Sequence, residues 1–165
     1  MRMSDDGTIE LAHVAARHLP IPTHLSDMAR AFLTPQPPRI PYPAVDDKAG
    51  WAAYVSAVNQ AVLPMLSAMN GGATAQVETR DANGARVFDI LPASVEAEGR
   101  GVVLEMHGGA LILCGGDLCR LMGTSTAARL QRRVWAVDYR MPPAHPYPAA
   151  LDDCIAAYRA LLDVR

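Results

Sequence analysis

Apolar and polar positions follow a helical period over the first seventy residues and a two-residue period after them. Ile9, Leu11, Val14 and Ala15 fall at loosely helical spacing over about residues 7 to 18, and Pro20 and Pro22 end that segment. Leu25, Met28, Ala29, Phe32 and Leu33 fall at i, i+3, i+4, i+7 and i+8 and predict a second helix, with Thr23 as N-cap and Asp27 near the positive end of its dipole. Pro35, Pro37, Pro38, Pro41 and Pro43 cannot continue a helix and predict an extended connector. A long amphipathic helix then starts at Asp46 or Asp47. Its stripe is Trp51, Tyr54, Val55, Val58, Val62, Met65, Leu66 and Met69, with a kink expected at Pro64 and a stop at Gly71 and Gly72. That stripe reads chiefly as a packing face on the domain core, with some turns free to line a substrate pocket.

After Gly72 the pattern becomes that of strands. Thr74 to Asp81 alternates, Asn83-Gly84 is a strong hairpin signal, and Arg86 to Leu91 alternates again up to Pro92. A polar loop leads to Val102 to Met106, whose mostly branched or long apolar residues predict a strand covered on both faces. Asp117 is placed to cap a helix running to about Gln131, with Leu118, Leu121, Met122 and Ala128 inward and Arg120, Arg129, Arg132 and Arg133 outward. Val134 to Tyr139 reads as a second buried strand. From Pro148 a last helix carries Leu151, Cys154, Ile155, Tyr158, Leu161 and Leu162 on its face and Asp152 and Asp153 in its first turn. A hairpin followed by strand, helix, strand and helix predicts an α/β domain whose sheet begins antiparallel and becomes parallel.

Composition narrows what such a domain does. With 165 residues, 50% hydrophobic and 19% charged, the chain can bury a core. A net charge of −2 gives no electrostatic footprint for nucleic acid or an anionic membrane, so neither is expected as a partner. The acidic N-terminus does not read as a signal peptide, no apolar run has the length of a membrane span, and three cysteines make no disulfide framework. A cytoplasmic location is expected.

The chemistry concentrates where the strand at Val102 to Met106 stops at His107 and opens into Gly108 and Gly109. Two adjacent glycines allow two peptide N–H groups to point at one position, the arrangement that stabilises the oxyanion formed when a nucleophile attacks an ester carbonyl.

The stretch His107-Gly108-Gly109-Ala110, taken with the run from Asp138, Tyr139 and Arg140 through His145 to Asp152 and Asp153, resembles the hormone-sensitive-lipase-like esterases of the α/β-hydrolase fold. The corresponding family stretches read H-G-G-G and D-Y-R-L-A-P-E-H-P-F-P-A-A-L-D-D. The resemblance implies the N-terminal part of an α/β-hydrolase sheet, with residues 1–72 as a helical cap and long amphipathic helix and residues 73–165 as the first half of the core. It further implies that Gly108 and Gly109 supply the oxyanion-hole N–H groups. His107 would then steady the loop without acting as the base, with Ala110 and Leu111 lining the pocket. The chain departs from the family at Ala110, where the third glycine stands, and at Ala144, which replaces the glutamate before His145.

No catalytic triad is expected within these residues. The family places its G-x-S-x-G nucleophile, then an acid, then a histidine, after the helix that ends near Arg165. Ser125 in Gly123-Thr-Ser-Thr-Ala127 imitates that elbow but sits within a helical pattern and reads as an ordinary helix serine. Cys114 and Cys119 near His107 lack a fourth ligand in sequence, so no metal and no cofactor are expected, and His13, His18 and His24 are not spaced to share one face. His145 reads as a turn residue. Two functions remain open. One is the N-terminal half of a carboxylic-ester hydrolase acting on a small ester or lactone. The other is a non-catalytic truncated product, or a subunit completing a partner chain that carries the triad.

Overall fold

The computed structural model describes residues 19–33, 40–95 and 101–163. The helix expected over about 7 to 18, with His13 and His18, lies outside those residues, as do Pro35, Pro37 and Pro38. The chain divides into two compact units, residues 1–39 and 40–165.

In the first unit, α1 spans Asp27–Leu33. Ser26, not Thr23, caps it: its Oγ accepts the Ala29 N–H at 3.3 Å. Thr23 stands too far upstream of the first helical residue to reach the free N–H groups of the first turn.

The second unit opens on α2, Lys48–Met69, whose N-cap Asp47 accepts the Gly50 N–H at 2.8 Å. The connector is fixed to its first turns by Tyr42, which stacks on Trp51 at 5.8 Å between ring centroids, and by the Trp51 Nε1–H, which donates to Ala44 O at 3.0 Å. Pro64 lies inside the helix, and Gly71 and Gly72 follow it at φ of 57° and 75°. Of the expected stripe, Trp51, Tyr54, Val55, Val58, Val62 and Leu66 are half-buried and Met65 is exposed. α2 lies against α3, which spans Asp117–Leu130.

Strands β1, Ala75–Ala82, and β2, Ala85–Pro92, form the expected hairpin with Ala82 opposite Ala85. Asn83 and Gly84 take φ of 56° and 90°, the two left-handed positions of a turn whose twist matches that of the strands. With β3, Val102–Met106, and β4, Arg133–Val137, they make a four-stranded sheet in the order β1-β2-β4-β3. β4 pairs antiparallel with β2 and parallel with β3. Alternate residues of the two inner strands supply two cores. Val87, Trp135 and Val137 pack with Ala157 of α4, Ala149–Asp163, while Phe88, Ile90, Val134 and Ala136 pack with Cys119 and Ala127 of α3. Helices thus cover both faces of the sheet.

The structure corrects several expectations. β3 is half-buried and Met106 is exposed, because only one of its edges pairs within the described residues. The inward face of α3 is Leu118, Cys119, Gly123, Thr124 and Ala127; Leu121, Met122 and Ala128 are only partly buried. Small residues win that face because the helix lies close on the sheet: a Cβ added to Gly123 would stand 2.6 Å from Ile90 Cδ1 and 2.7 Å from Ala136 Cβ. Gly116 is the N-cap of α3, and Asp117 is its first residue, paired with Arg120. Arg133 belongs to β4, where it forks onto the buried Asp89 carboxylate at 2.7 and 2.6 Å, with Arg80 also paired to Asp89. On α4 the buried residues are Asp153 and Ala157, whereas Leu151, Ile155, Tyr158 and Leu162 of the expected stripe are exposed. No helix among the described residues is long and apolar enough to cross a membrane.

Candidate active site

The glycine loop leaves the sheet at the C-terminal end of β3, the edge of a parallel pair where α/β sheets place their ligands. His107 ends the strand buried, its ring stacked on that of Tyr139 with centroids 4.2 Å apart and planes 7° off parallel. The Tyr139 hydroxyl donates to His107 O at 2.6 Å, and burial pushes that phenol up to about 12. His107 Nδ1 lies 2.8 Å from Gly108 O, an acceptor only, so Nδ1 carries the proton and Nε2 the lone pair.

Beyond His107 the backbone enters conformations that side chains resist. Gly109 has φ of 119°, and a Cβ there would lie 2.3 Å from Leu113 O, so glycine is required. Ala110, Leu111 and Cys114 follow at φ of 55°, 58° and 72°. The run is held from within by the Ile112 and Leu113 N–H groups, which both donate to Gly109 O. It is held from outside by Asn59 of α2, whose Oδ1 accepts the Cys114 N–H at 3.1 Å. Among the described residues, no protein acceptor takes the N–H of Gly108 or Gly109. His107 and Leu111 open on a cavity of about 560 Å³ that is also lined by Met106, Leu151 and Cys154.

The second motif supports the first. Asp138 accepts the Gly116 N–H through Oδ1 at 2.8 Å and pairs with Arg86, tying the end of β4 to the end of the loop and to the hairpin. Arg140 is held by Asp153, whose Oδ2 accepts its backbone N–H at 2.8 Å and whose Oδ1 accepts Nη2 at 2.7 Å. Burial would raise the Asp153 carboxyl, but the Arg140 bonds and charge outweigh it and hold the carboxyl low. Asp138, Tyr139 and Arg140 therefore fasten, in turn, the loop, the strand end and α4. Sequence reasoning treated them as motif letters and missed Asn59 altogether, because nothing local to an amphipathic helix marks one asparagine as a loop ligand. His145 is exposed in the proline-rich turn, its N–H donating to Met141 O at 3.0 Å.

The substitutes for a nucleophile stay apart. Ser125 is exposed on α3, and among the described residues no serine hydroxyl bonds to a histidine ring. Cys114, Cys119 and Cys154 are free thiols, each pushed up by burial. His24 lies in the first unit, where it is exposed.

Sheet order and crossover helices are those of the N-terminal part of an α/β-hydrolase fold, and residues 103–165 match the alpha/beta hydrolase fold family. An esterase of Acinetobacter venetianus is 39% identical over 67 residues, 41% of this chain and 22% of that protein. Esterase LipI of Mycobacterium tuberculosis is 47% identical over 80 residues, 46% of this chain and 23% of that protein. Among solved structures, esterase E25 superimposes with a TM-score of 0.71 at 28% identity over 93% of this chain and 48% of its own. An esterase from the bacterial hormone-sensitive lipase family superimposes with a TM-score of 0.51 at 29% identity, over 75% of this chain and 38% of its own. The chain is thus similar, over the N-terminal part of their length, to esterases that include a bacterial hormone-sensitive lipase family member. It spans about half the length of the solved relatives.

Proposed function

We propose that this chain is the oxyanion-hole half of a carboxylic-ester hydrolase acting on small esters or lactones. The serine nucleophile, acid and catalytic histidine come from residues outside these 165, on a downstream segment or a second chain. The observation that supports the reading is the pair of N–H groups at Gly108 and Gly109, which no protein group among the described residues accepts, in a loop whose His107 and Leu111 line an apolar cavity. When a serine oxygen adds to an ester carbonyl, the carbonyl oxygen gains a full charge, and two fixed N–H donors stabilise it more than they stabilise the neutral ester. The acyl-enzyme then yields to water without a cofactor. His107 positions the loop: its Nδ1–H is committed to Gly108 O and its other nitrogen is buried. Residues 1–72 are the cap and its supporting helix, residues 73–165 the core, and the free thiols suit a reducing cytoplasm.

The test combines the chain with a separately made downstream half and follows a chromogenic short-chain ester. The chain alone is expected to give no hydrolysis and no labelling by a serine-directed phosphonate, and the combination is expected to give both. Gly109→Pro, which removes an N–H and fixes φ, should lower turnover by about 100-fold or more. Unchanged turnover in the folded variant would remove the oxyanion assignment. A combination that folds yet stays inactive would favour a non-catalytic product, and labelling of Ser125 in the chain alone would place the nucleophile on α3.

A further inference from the structure

At the stem of the glycine loop, three buried side chains from three parts of the fold converge. They are His107 at the end of β3, Cys119 in the first turn of α3 and Asp138 at the end of β4. A ring nitrogen, the thiol sulfur and a carboxylate oxygen all lie within 4.8 Å of one another, and the three residues are 5%, 1% and 7% exposed. A second observation is independent of that proximity. His107 Nε2 is buried with no hydrogen-bond partner, and because Nδ1 holds the proton against Gly108 O, Nε2 presents an unused lone pair. A buried acceptor without a donor has lost its hydration without compensation, so a group that fills it stabilises the fold.

We propose that His107, Cys119 and Asp138 form a binding site for a thiophilic divalent cation of the zinc or cadmium class. The donors are one imidazole, one thiolate and one carboxylate, the mixed nitrogen, sulfur and oxygen set that such ions take in four-coordinate geometry, with the fourth position left to water. Bonds of about 2.0 to 2.3 Å put tetrahedral ligands roughly 3.3 to 3.8 Å apart, so donor atoms now within 4.8 Å of one another close by at most about 1.0 to 1.5 Å on the ion. Charge balances without another reactant. The Cys119 proton leaves to solvent, and thiolate and carboxylate together neutralise the dication. Asp138 keeps Oδ1 on the Gly116 N–H, and Arg86, whose side chain is 58% exposed, is free to turn outward as the ion takes its place beside Oδ2. Bound there, the ion ties the stem of the glycine loop to α3 and β4. The sequence placed Cys114 beside Cys119 as the candidate pair. Folding instead brings in Asp138, nineteen residues after Cys119 and invisible to any local spacing rule.

The test is a titration of the dilute, reduced chain with cadmium alone, followed by the thiolate-to-metal charge-transfer band and by the thermal midpoint. One equivalent should saturate the band and raise the midpoint. Both effects should persist in Cys114→Ser/Cys154→Ser, which leaves Cys119 as the sole thiol. They should weaken by about 10-fold or more in His107→Gln and in Asp138→Asn, and vanish in Cys119→Ser. A folded double variant that gives no stoichiometric band overturns the proposal even if Cys119→Ser does not fold. A band that survives Cys119→Ser overturns it as well.

Discussion

Gly109 and Asp153 show how far single residues decide the geometry of this loop. At Gly109 both the φ of 119° and the 2.3 Å approach of Leu113 O exclude a side chain. Gly109→Ala should therefore lower stability by about 1 to 3 kcal/mol, the range for a non-glycine residue forced into a sparsely populated backbone region, with a matching fall in the urea midpoint. Gly108 has open space where its Cβ would stand, so Gly108→Ala should be much milder and separates strain from mere loss of a glycine. Asp153 acts through charge. Its carboxyl is held below the unfolded value of about 3.9 by Arg140. Its contribution is therefore full above that value and is lost as pH falls through the folded pKa. The urea midpoints of wild type and Asp153→Asn should differ at pH 7 and converge as pH drops below about 4. A gap that persists unchanged in acid would mean that Asp153 acts by packing alone.

At the scale of elements, α3 sets helix propensity against packing. Gly123→Ala gains up to about 1 kcal/mol of helix propensity, but its methyl meets Ala136 Cβ at 2.7 Å, and a methyl rooted in the middle strand cannot swing aside. Overpacking of about 1 to 3 kcal/mol should win, so denaturant unfolding is expected to show net destabilisation; a more stable variant would mean that α3 lifts off the sheet freely. The same helix shows where sequence patterns stop informing. Asn83-Gly84 announced its hairpin, and the glycine loop and the run from Asp138 to Asp153 announced the α/β-hydrolase fold, because each depends on local backbone chemistry. The inward face of α3 was misread because apolar periodicity favours large residues such as Leu121 and Met122, whereas close approach selects Cys119, Gly123 and Ala127. Asn59 and Asp138 were illegible as loop ligands because their partners lie 55 and 22 residues away.

For the molecule as a whole, the open side of β3 dominates behaviour in solution. Its outer edge has no ladder partner among the described residues, Met106 at its end is 55% exposed, and Leu151, which lines the same cavity, is 48% exposed. Such an edge templates further strands. The 165-residue chain should self-associate with concentration on size-exclusion chromatography, and added downstream half should suppress the association. A monodisperse monomer at high concentration with sharp unfolding would refute this. Amides of β3 should also exchange faster than those of β4, which is paired on both sides. That inner position of β4 imposes a timetable as well. On the ribosome the hairpin and β3 emerge first, yet they are not neighbours, and the strand that joins them is complete only when synthesis has moved from Met106 to Val137. At roughly 5 to 20 residues per second the nascent chain spends on the order of 2 to 6 s with β2 and β3 free to meet each other wrongly, an interval in which a chaperone has most to do.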